Sequence, residues 1–186
     1  MKKLIKMFCV LALVAGFSVP SFSANGPVDP ARPGTGILGF GIGPGVSYWG
    51  SDGFGPALLF HYDHSIWQAG PGVISLGGQI GTSFFTDNSS HWDRSWTHTA
   101  FIFRGAYHYG WKVPGLDTYA GFGAGPRLSF YKENYYGDDL NDTEFSFTPT
   151  SFLGGSYFFN DTFGVNAEMG FNLAYFSVGL NFRIVK

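Results

Sequence analysis

The feature that most constrains this chain is a segment that occurs twice, in which large apolar residues alternate with very small ones, apart from Arg127 in the second copy. The first copy, residues 39–49, reads GFGIGPGVSYW, and the second, residues 121–131, reads GFGAGPRLSFY. Side chains that repeat every second residue point to opposite faces of a β-strand, whereas a helix repeats about every 3.6 residues. Each copy is therefore predicted to be a strand with one apolar face and one face that carries almost no side chains.

The same alternation continues along the chain and predicts eight strands. It is clearest in the last strand, where Phe176, Val178, Leu180 and Phe182 alternate with smaller or polar residues. Each predicted strand is at least as long as the roughly 9–11 residues that a tilted strand needs to cross a bilayer. The predicted strands are residues 35–48, 54–63, 72–85, 95–109, 116–131, 144–159, 162–171 and 176–184.

The connections between the predicted strands alternate between short turns and longer polar segments. Pro114-Gly115 and Asn160-Asp161 are short, whereas residues 86–94 and 132–143 form longer polar loops. Outer-membrane barrels have short periplasmic turns and long external loops, so the long loops are predicted to lie outside the cell. Residues 50–53 and the connection near residues 172–175 fall at the same end and are predicted to be external too. Residues 64–71 fit less well, because they give a long connection on the side of the short turns.

Composition decides between a barrel in water and a barrel in lipid. Charged residues make up 13% of the chain and aromatic residues 19%, whereas a soluble domain has about 25% charged residues. No apolar run of about 20 residues, the length of a membrane-spanning helix, occurs outside the N-terminus. In hydrocarbon, only helices and closed barrels satisfy every backbone hydrogen-bonding group. A membrane β-barrel is therefore predicted, and a soluble lipocalin-like barrel is the alternative.

The space inside the barrel decides which face of each strand points to the lumen and which points to lipid. The lumen of an eight-stranded barrel holds little more than its own side chains, so the Gly, Ser and Thr positions are predicted to face inward and the Phe and Tyr positions to face lipid. Aromatic residues near strand ends are predicted to form the girdles at the membrane surfaces. They are Trp49, Trp92, Trp96, Tyr107, Tyr109, Trp111, Tyr131 and Tyr175.

The N-terminus predicts export. Three lysines within the first six residues precede an apolar run, residues 7–19, and Ser21-Phe22-Ser23 has the small-x-small pattern of a cleavage site. Cleavage leaves 11 − 3 = 8 Lys and Arg against 13 Asp and Glu, which argues against a nucleic-acid partner. The chain is thus divided into a signal peptide at residues 1–23, a Pro-rich periplasmic lead-in at 24–34 and an outer-membrane β-barrel at 35–186.

These patterns resemble the OmpA/OmpX-like superfamily of small outer-membrane barrels, often described as outer-membrane protein β-barrel domain or porin-family proteins. The resemblance covers residues 35–186 and rests on the alternation, the Gly-x-Gly-x-Gly-Pro strands and the final strand, Tyr175 to Phe182. The family usually ends on an aromatic residue, whereas this chain continues from Arg183 to Lys186.

The resemblance implies an all-β fold, an eight-stranded antiparallel up-and-down transmembrane β-barrel. It also implies a location in the bacterial outer membrane after export of the chain. The implied partners are outer-membrane lipid, lipopolysaccharide and, during biogenesis, the barrel-assembly machinery. A monomer is expected.

Four ionisable residues on the small-residue face are predicted to lie in the lumen. An ion buried in a narrow barrel must be paired, so the first interpretation is an internal salt-bridge network that fills the lumen. The second interpretation is a gated, narrow ion path. The four residues are Arg104, Arg127, Glu168 and Arg183.

The five histidines, at positions 61, 64, 91, 98 and 108, raise the question of an enzyme or a metal site. A barrel that modifies lipid A would carry His and Ser together on the lipid-facing side. His61, His98 and His108 fall on the inward face, and His64 and Ser65 are adjacent and therefore point to opposite faces. Structural histidines are the favoured interpretation.

An acidic segment raises the question of a divalent cation, because Ca²⁺ takes clustered oxygen ligands. The spacing is not that of an EF-hand, so a solvated acidic loop is the favoured interpretation. The residues concerned are Asp138, Asp139, Asn141 and Asp142.

Together, these observations predict an outer-membrane barrel with a structural or surface-interaction role. Its lumen is filled by side chains and its external loops are available for contacts. No catalytic, cofactor or metal site is predicted. The alternatives are a lipid A-modifying barrel enzyme and a narrow ion-conducting channel. The sequence identifies no adhesion partner or ligand.

Overall fold

The chain forms one closed sheet. A computed structural model describes residues 27–45, 55–89, 92–135, 138–171 and 173–185. Each strand pairs antiparallel with the next along the chain, and the first pairs with the last, so the sheet closes into an up-and-down barrel. The predicted all-β, eight-stranded antiparallel fold is confirmed. The strands are β1 Thr35–Pro44, β2 Pro56–Ala69, β3 Gly72–Ser89, β4 Trp92–Tyr109, β5 Leu116–Tyr135, β6 Asp138–Phe158, β7 Phe163–Gly170 and β8 Phe176–Val185.

The barrel closes where β1 meets β8. Their register runs from Thr35 opposite Val185 to Ile42 opposite Val178. Each of the two strands therefore has a hydrogen-bonded neighbour on both of its edges. A closed ring leaves no strand edge unpaired. Residues 39–44 of the first copy of the repeated segment lie on β1, and the second copy lies on β5, four strands away in this ring of eight. The predicted signal peptide lies outside the described residues.

The connection that fitted poorly, residues 64–71, is mostly strand. β2 continues to Ala69 through a register shift between Ser65 and Trp67. A β-bulge of this kind absorbs one extra residue and lets the pairing continue beyond it. Only Gly70 and Pro71 remain as the turn, and Gly70 has a φ of 59°, which glycine adopts without steric cost.

At the opposite end, segments predicted as polar loops are paired strands. β3 and β4 pair as far as Ser89 opposite Trp92, and β5 and β6 pair as far as Tyr135 opposite Asp138. Ladder hydrogen bonds do not need apolar side chains, so the strands continue after the hydrophobic alternation stops. β5 and β6 have 20 and 21 residues, whereas β7 and β8 have 8 and 10. We call the end with these tall hairpins the loop end, and the other the turn end.

The outer surface of the barrel is apolar. Phe103 and Phe122 point outward and are 77% and 78% exposed, whereas His61 and Asp63 point inward and are buried. A barrel in water has the opposite polarity, with apolar side chains inside. An apolar outside and a polar lumen are the arrangement of a barrel that spans lipid, and they argue against the soluble lipocalin-like alternative.

Several aromatic side chains depart from the predicted lipid face. Phe85, Phe152 and Phe158 point inward and are buried. Trp96, expected in a girdle, is also buried and stacks on Phe85 with ring centroids 6.0 Å apart. Tyr131 likewise packs its ring against that of the buried His98, at 5.9 Å. Aromatic rings therefore fill space inside the lumen that smaller residues would leave open.

Candidate functional site: the filled lumen

Arg104 on β4 forms the centre of the lumen. Its Nη2 donates a hydrogen bond to Glu168 Oε2 over 2.8 Å, and its Nη1 donates to Gln79 Oε1 over 2.9 Å. Its Nε lies 3.2 Å from Asp63 Oδ1. One guanidinium thus joins β2, β3, β4 and β7 across the barrel. Because an unpaired buried charge is costly, the two carboxylates are what make this cation tolerable here.

Aromatic rings pack over the same guanidinium. Arg104 Cζ lies 3.8 Å from the ring centroid of Phe152 and 5.9 Å from that of Tyr119. Gly121, from the second copy of the repeat, makes room for Phe152, because a Cβ there would lie 2.6 Å from the ring. The small residues of the repeat therefore form a thin inner wall against which large side chains fit. We call Arg104, Asp63, Glu168 and Gln79 the ionic layer.

A second polar cluster lies closer to the turn end. His108 Nδ1 lies 2.9 Å from Asp117 Oδ2, and His108 Nε2 lies 2.9 Å from Ser75 Oγ. A carboxylate only accepts, so Nδ1 carries the proton, and in the neutral ring Nε2 accepts from the serine hydroxyl. All three side chains are buried. The three residues come from β3, β4 and β5, and we call them the Ser-His-Asp cluster.

This order of contacts is that of a serine hydrolase triad, but the surroundings are not. A nucleophile needs a space next to it for the reacting carbonyl and donors for the oxyanion. Ser75 is 0% exposed and does not line the neighbouring cavity of about 250 Å³, which His108 and Asp117 do line. Backbone N–H groups in the middle of a strand already donate hydrogen bonds to neighbouring strands, so they are not available to an oxyanion. The cluster is therefore a buried hydrogen-bonded bridge between three strands.

A third cluster joins β6, β7 and β8. Asn181 Nδ2 donates to Ser156 Oγ over 2.8 Å, and Asn181 Oδ1 accepts from Asn166 Nδ2 over 2.7 Å. Gly39, from the first copy of the repeat, again provides the space. A Cβ at this position would lie 2.5 Å from Asn181 Oδ1 and 2.2 Å from the ring of His61.

On the loop-end side of the ionic layer, the lumen contains an apolar cluster as well as a buried polar pair, His98 Nδ1 and Ser129 Oγ, 2.8 Å apart. Leu173, from the connection between β7 and β8, is 1% exposed and packs in one cluster with Leu59 and Ile102. A bridge between Gly45 and Ala174 holds the same connection against β1. This connection was expected to be an external loop, but it folds inward as a stopper. The sequence signal was an apolar Leu-Ala pair in a segment that otherwise reads as a polar turn.

The four residues predicted for the lumen do not form one network. Arg104 and Glu168 are paired in the ionic layer. Arg183 lies at the turn end, where its Nε donates to the Pro30 carbonyl over 2.7 Å and its Nη1 to the Asp161 carbonyl over 3.3 Å. Arg127 lies nearer the loop end, opposite Ala100 on β4 and Ser146 on β6.

Sequence reasoning missed Asp63 and Gln79, which complete the ionic layer. Asp63 lies two residues after His61 on β2 and therefore faces the same side of the strand. This spacing could have predicted its inward position. Gln79 lies between Gly77 and Gly81 on the small-residue face of β3, but an uncharged residue gave no reason to expect a partner for Arg104. Which strands meet across a lumen depends on the register, and alternation alone does not determine it.

Among the residues that the structure describes, the histidines and the acidic segment do not form a metal site. His64 points outward, where its Nδ1 lies 3.2 Å from Tyr62 Oη, and His91 lies outside the described residues. The acidic residues 138–142 belong to β6 rather than to a loop. Within the described ranges, no group of three His, Cys, Asp or Glu residues could hold a metal ion.

Comparison with models of known families gives no match, and comparison with curated proteins gives none either. Among solved structures, the chain is similar to Ail, the attachment invasion locus protein of Yersinia pestis, with a TM-score of 0.49 and 12% identity over 82% of this chain and 100% of that chain. It is also similar to Neisserial surface protein A (NspA), with a TM-score of 0.46 and 14% identity over 82% of this chain and 97% of that one. Similarity this low carries no information about what the chain binds.

Proposed function

We propose that this chain is a closed, non-conducting barrel of the bacterial outer membrane that acts through contacts at its loop end. The observation that carries the proposal is the reversed polarity of the barrel. Large apolar side chains such as Phe103 and Phe122 are exposed on the outside, and ionisable side chains such as Arg104 are buried inside. Exposed apolar surface of this extent is stable in lipid and not in water.

The filling of the lumen supports a role other than conduction. The ionic layer crosses the barrel from β2 to β7. Leu173 closes the apolar part above it, and the Ser-His-Asp cluster fills the lumen below. An ion would have to displace paired charges and packed side chains in succession. A lipid A-modifying activity has no supporting observation, because the Ser-His-Asp cluster is buried in the lumen and away from lipid.

The tall hairpins support a role at the cell surface. β3 to β6 have 18 to 21 residues, whereas about 9–11 residues suffice to cross the hydrocarbon layer. The surplus is concentrated at the loop end and forms a wall of paired strands. We propose that this wall faces the cell exterior, where it contacts lipopolysaccharide and partners outside the cell.

The test combines fractionation with surface proteolysis. The full chain should enter the outer-membrane fraction and migrate differently on gels before and after heating, as closed barrels do. Protease added to intact cells should cut within the hairpins of β3 to β6 and leave the turns at the other end intact. Recovery in the soluble fraction without detergent would overturn the membrane assignment. Cleavage at the turn end alone would reverse the orientation.

A further inference from the structure

The segment before β1 closes the turn end of the barrel. We call residues 27–34 the strap. Pro30 and Ala31 are buried, and Ala31 packs with Ile37 of β1 and Phe158 of β6. The Pro30 carbonyl accepts the hydrogen bond from Arg183 on β8. A segment expected to be an irregular lead-in therefore lies across the mouth of the lumen.

The strap is fixed at both of its ends by main-chain hydrogen bonds. The Gly115 N–H donates to the Pro27 carbonyl over 2.9 Å, and the Gly34 N–H donates to the Ser65 carbonyl over 2.8 Å. The first of these bonds is made to the turn between β4 and β5, and the second to the register shift in β2, where Ser65 is buried beneath the strap end. Their donors and acceptors would be solvated if the strap left, so losing them costs little free energy.

The barrel does not need the strap in order to close. β1 and β8 are paired directly over eight residue pairs, from Thr35 to Ile42. The strap also packs incompletely, because a cavity of about 250 Å³ remains between it and the barrel wall. The lining of this cavity is largely polar and includes Asp29, Arg32, Gln68, His108 and Asp117. Ala31 and Pro30 are thus the main apolar anchors of a contact that is otherwise polar and loosely packed.

We propose that the strap is a removable inner gate. In the closed state it seals the turn end. In the open state it leaves the mouth, and water enters a vestibule that reaches the Ser-His-Asp cluster. The vestibule ends at the ionic layer, where Arg104 holds β2 and β7 together, so opening the gate does not create a pore through the barrel.

The test uses a cysteine placed behind the strap. Cys9 is the sole cysteine of the chain and lies in the predicted signal peptide, so a Val73→Cys variant gives an exported protein with one thiol. Val73 is 4% exposed and lines the cavity. The rate of reaction with a water-soluble maleimide measures how often the strap is open, because the thiol reacts only in the state that exposes it.

A charge on the strap should open the gate. Ala31→Glu places a carboxylate among Ile37 and Phe158, which disfavours the closed state, and should raise the labelling rate of Val73→Cys by about tenfold or more. Val28→Glu is the matched control, because Val28 belongs to the same strap but is 40% exposed, and it should leave the rate within about twofold. Equal rates in the parent, Ala31→Glu and Val28→Glu would overturn the gate.

A second thiol distinguishes a gate from loss of the barrel. Ala57 is 0% exposed and lies with Leu173 on the loop-end side of the ionic layer, so an Ala57→Cys thiol should stay unreactive in the Ala31→Glu background. Labelling at both positions would mean that the whole barrel opens and would overturn the proposal. A rise in bilayer conductance in Ala31→Glu would also overturn it, because the ionic layer would not be a barrier.

Arg183→Met provides an independent variant if Ala31→Glu does not give a heat-modifiable barrel. Methionine has no N–H group in place of Arg183 Nε, so the hydrogen bond to the Pro30 carbonyl is lost. This change weakens the attachment of the strap to β8 without placing a charge on the strap. The labelling rate at Val73→Cys should rise, by less than in Ala31→Glu. An unchanged rate in Arg183→Met would overturn the proposal.

Discussion

The two halves of the lumen differ in the side chains that pack next to each other. We call the turn-end half, with the ionic layer, the polar half, and the loop-end half, with the cluster around Leu173, the apolar half, although it also buries His98 and Ser129. Toward the turn end, the ionic layer and the Ser-His-Asp cluster lie in a polar lumen whose side chains come from strands. Toward the loop end, Leu173 packs on Leu59 and Ile102, and it comes from a connection rather than from a strand. The polar half depends on the register of the sheet, because its partners must meet at hydrogen-bonding distance.

This difference indicates where a single substitution should destabilise the barrel most. A buried charge that loses its partner costs several kcal/mol, because the remaining charge cannot be solvated. Truncating a buried apolar side chain loses its transfer free energy and leaves a cavity. Neighbouring side chains then move into part of that cavity and recover part of the loss. The charged contacts of the polar half should therefore be the most sensitive to single substitutions, although an intact buried ion pair adds little stability.

The largest effect is expected at Arg104. Arg104→Met leaves Asp63 and Glu168 buried without their cation and should lower the free energy of unfolding by about 3–5 kcal/mol. The measurement is urea unfolding in detergent micelles, followed by tryptophan fluorescence. The matched control adds Asp63→Asn and Glu168→Gln, which removes the stranded charges and should recover much of the loss. If the triple variant were no more stable than Arg104→Met, the loss would not come from the carboxylates.

A smaller effect is expected in the apolar half. Leu173→Ala removes most of the stopper side chain and should lower the free energy of unfolding by about 2–3 kcal/mol. Leu180→Ala is the control, because Leu180 has the same size but lies on the outer face and is 44% exposed. Lipid or detergent fills the space that it leaves, so its effect should stay below about 1 kcal/mol. Equal losses in the two variants would show that Leu173 is not a packed stopper.

The Ser-His-Asp cluster should show a smaller effect still. Ser75→Ala removes the hydroxyl beside His108 Nε2 and should cost about 1 kcal/mol in the same unfolding assay. Ser83→Ala is a matched control on the same strand. Ser83 is also 0% exposed, and its Oγ has no hydrogen-bond partner in the part of the chain that the structure describes. Its removal should be neutral or slightly stabilising, and a loss equal to that of Ser75→Ala would contradict the assigned hydrogen bond.

The smallest effect is expected in conductance. Glu168→Ala opens space in the ionic layer, but Leu173 still closes the apolar half above it. Single-protein conductance in planar bilayers should therefore remain at the baseline of the parent protein. Step-like ion currents in Glu168→Ala would support the narrow-channel alternative and show that the polar half alone closes the lumen.

Much of the fold follows from alternation. The period of two identifies the strands, and the lack of charge places their apolar face toward lipid. The bounds of the strands were harder to predict where the hydrophobic pattern stops before the pairing does. β6 begins at Asp138, within a segment that reads as an acidic loop. The bulge between Ser65 and Trp67 likewise breaks the pattern without ending β2.

The inward positions of Arg104 and Glu168 follow from parity, but their pairing does not. Glu168 lies 64 residues from Arg104 along the chain and reaches it across the lumen. Asp63 and Gln79 reach the same guanidinium from two other strands. Contacts across a barrel depend on the stagger of all eight strands, which accumulates around the ring.

The sequence by itself determined the strands, the lipid-facing side and the small inner wall, because these depend on residue size and polarity at every second position. The tertiary structure decided which side chains fill the lumen and what closes its two ends. Leu173 enters from a connection and the strap from a lead-in, and neither segment carries a periodic pattern. Their positions follow from the space that the closed ring leaves, and that space exists only after β1 has paired with β8.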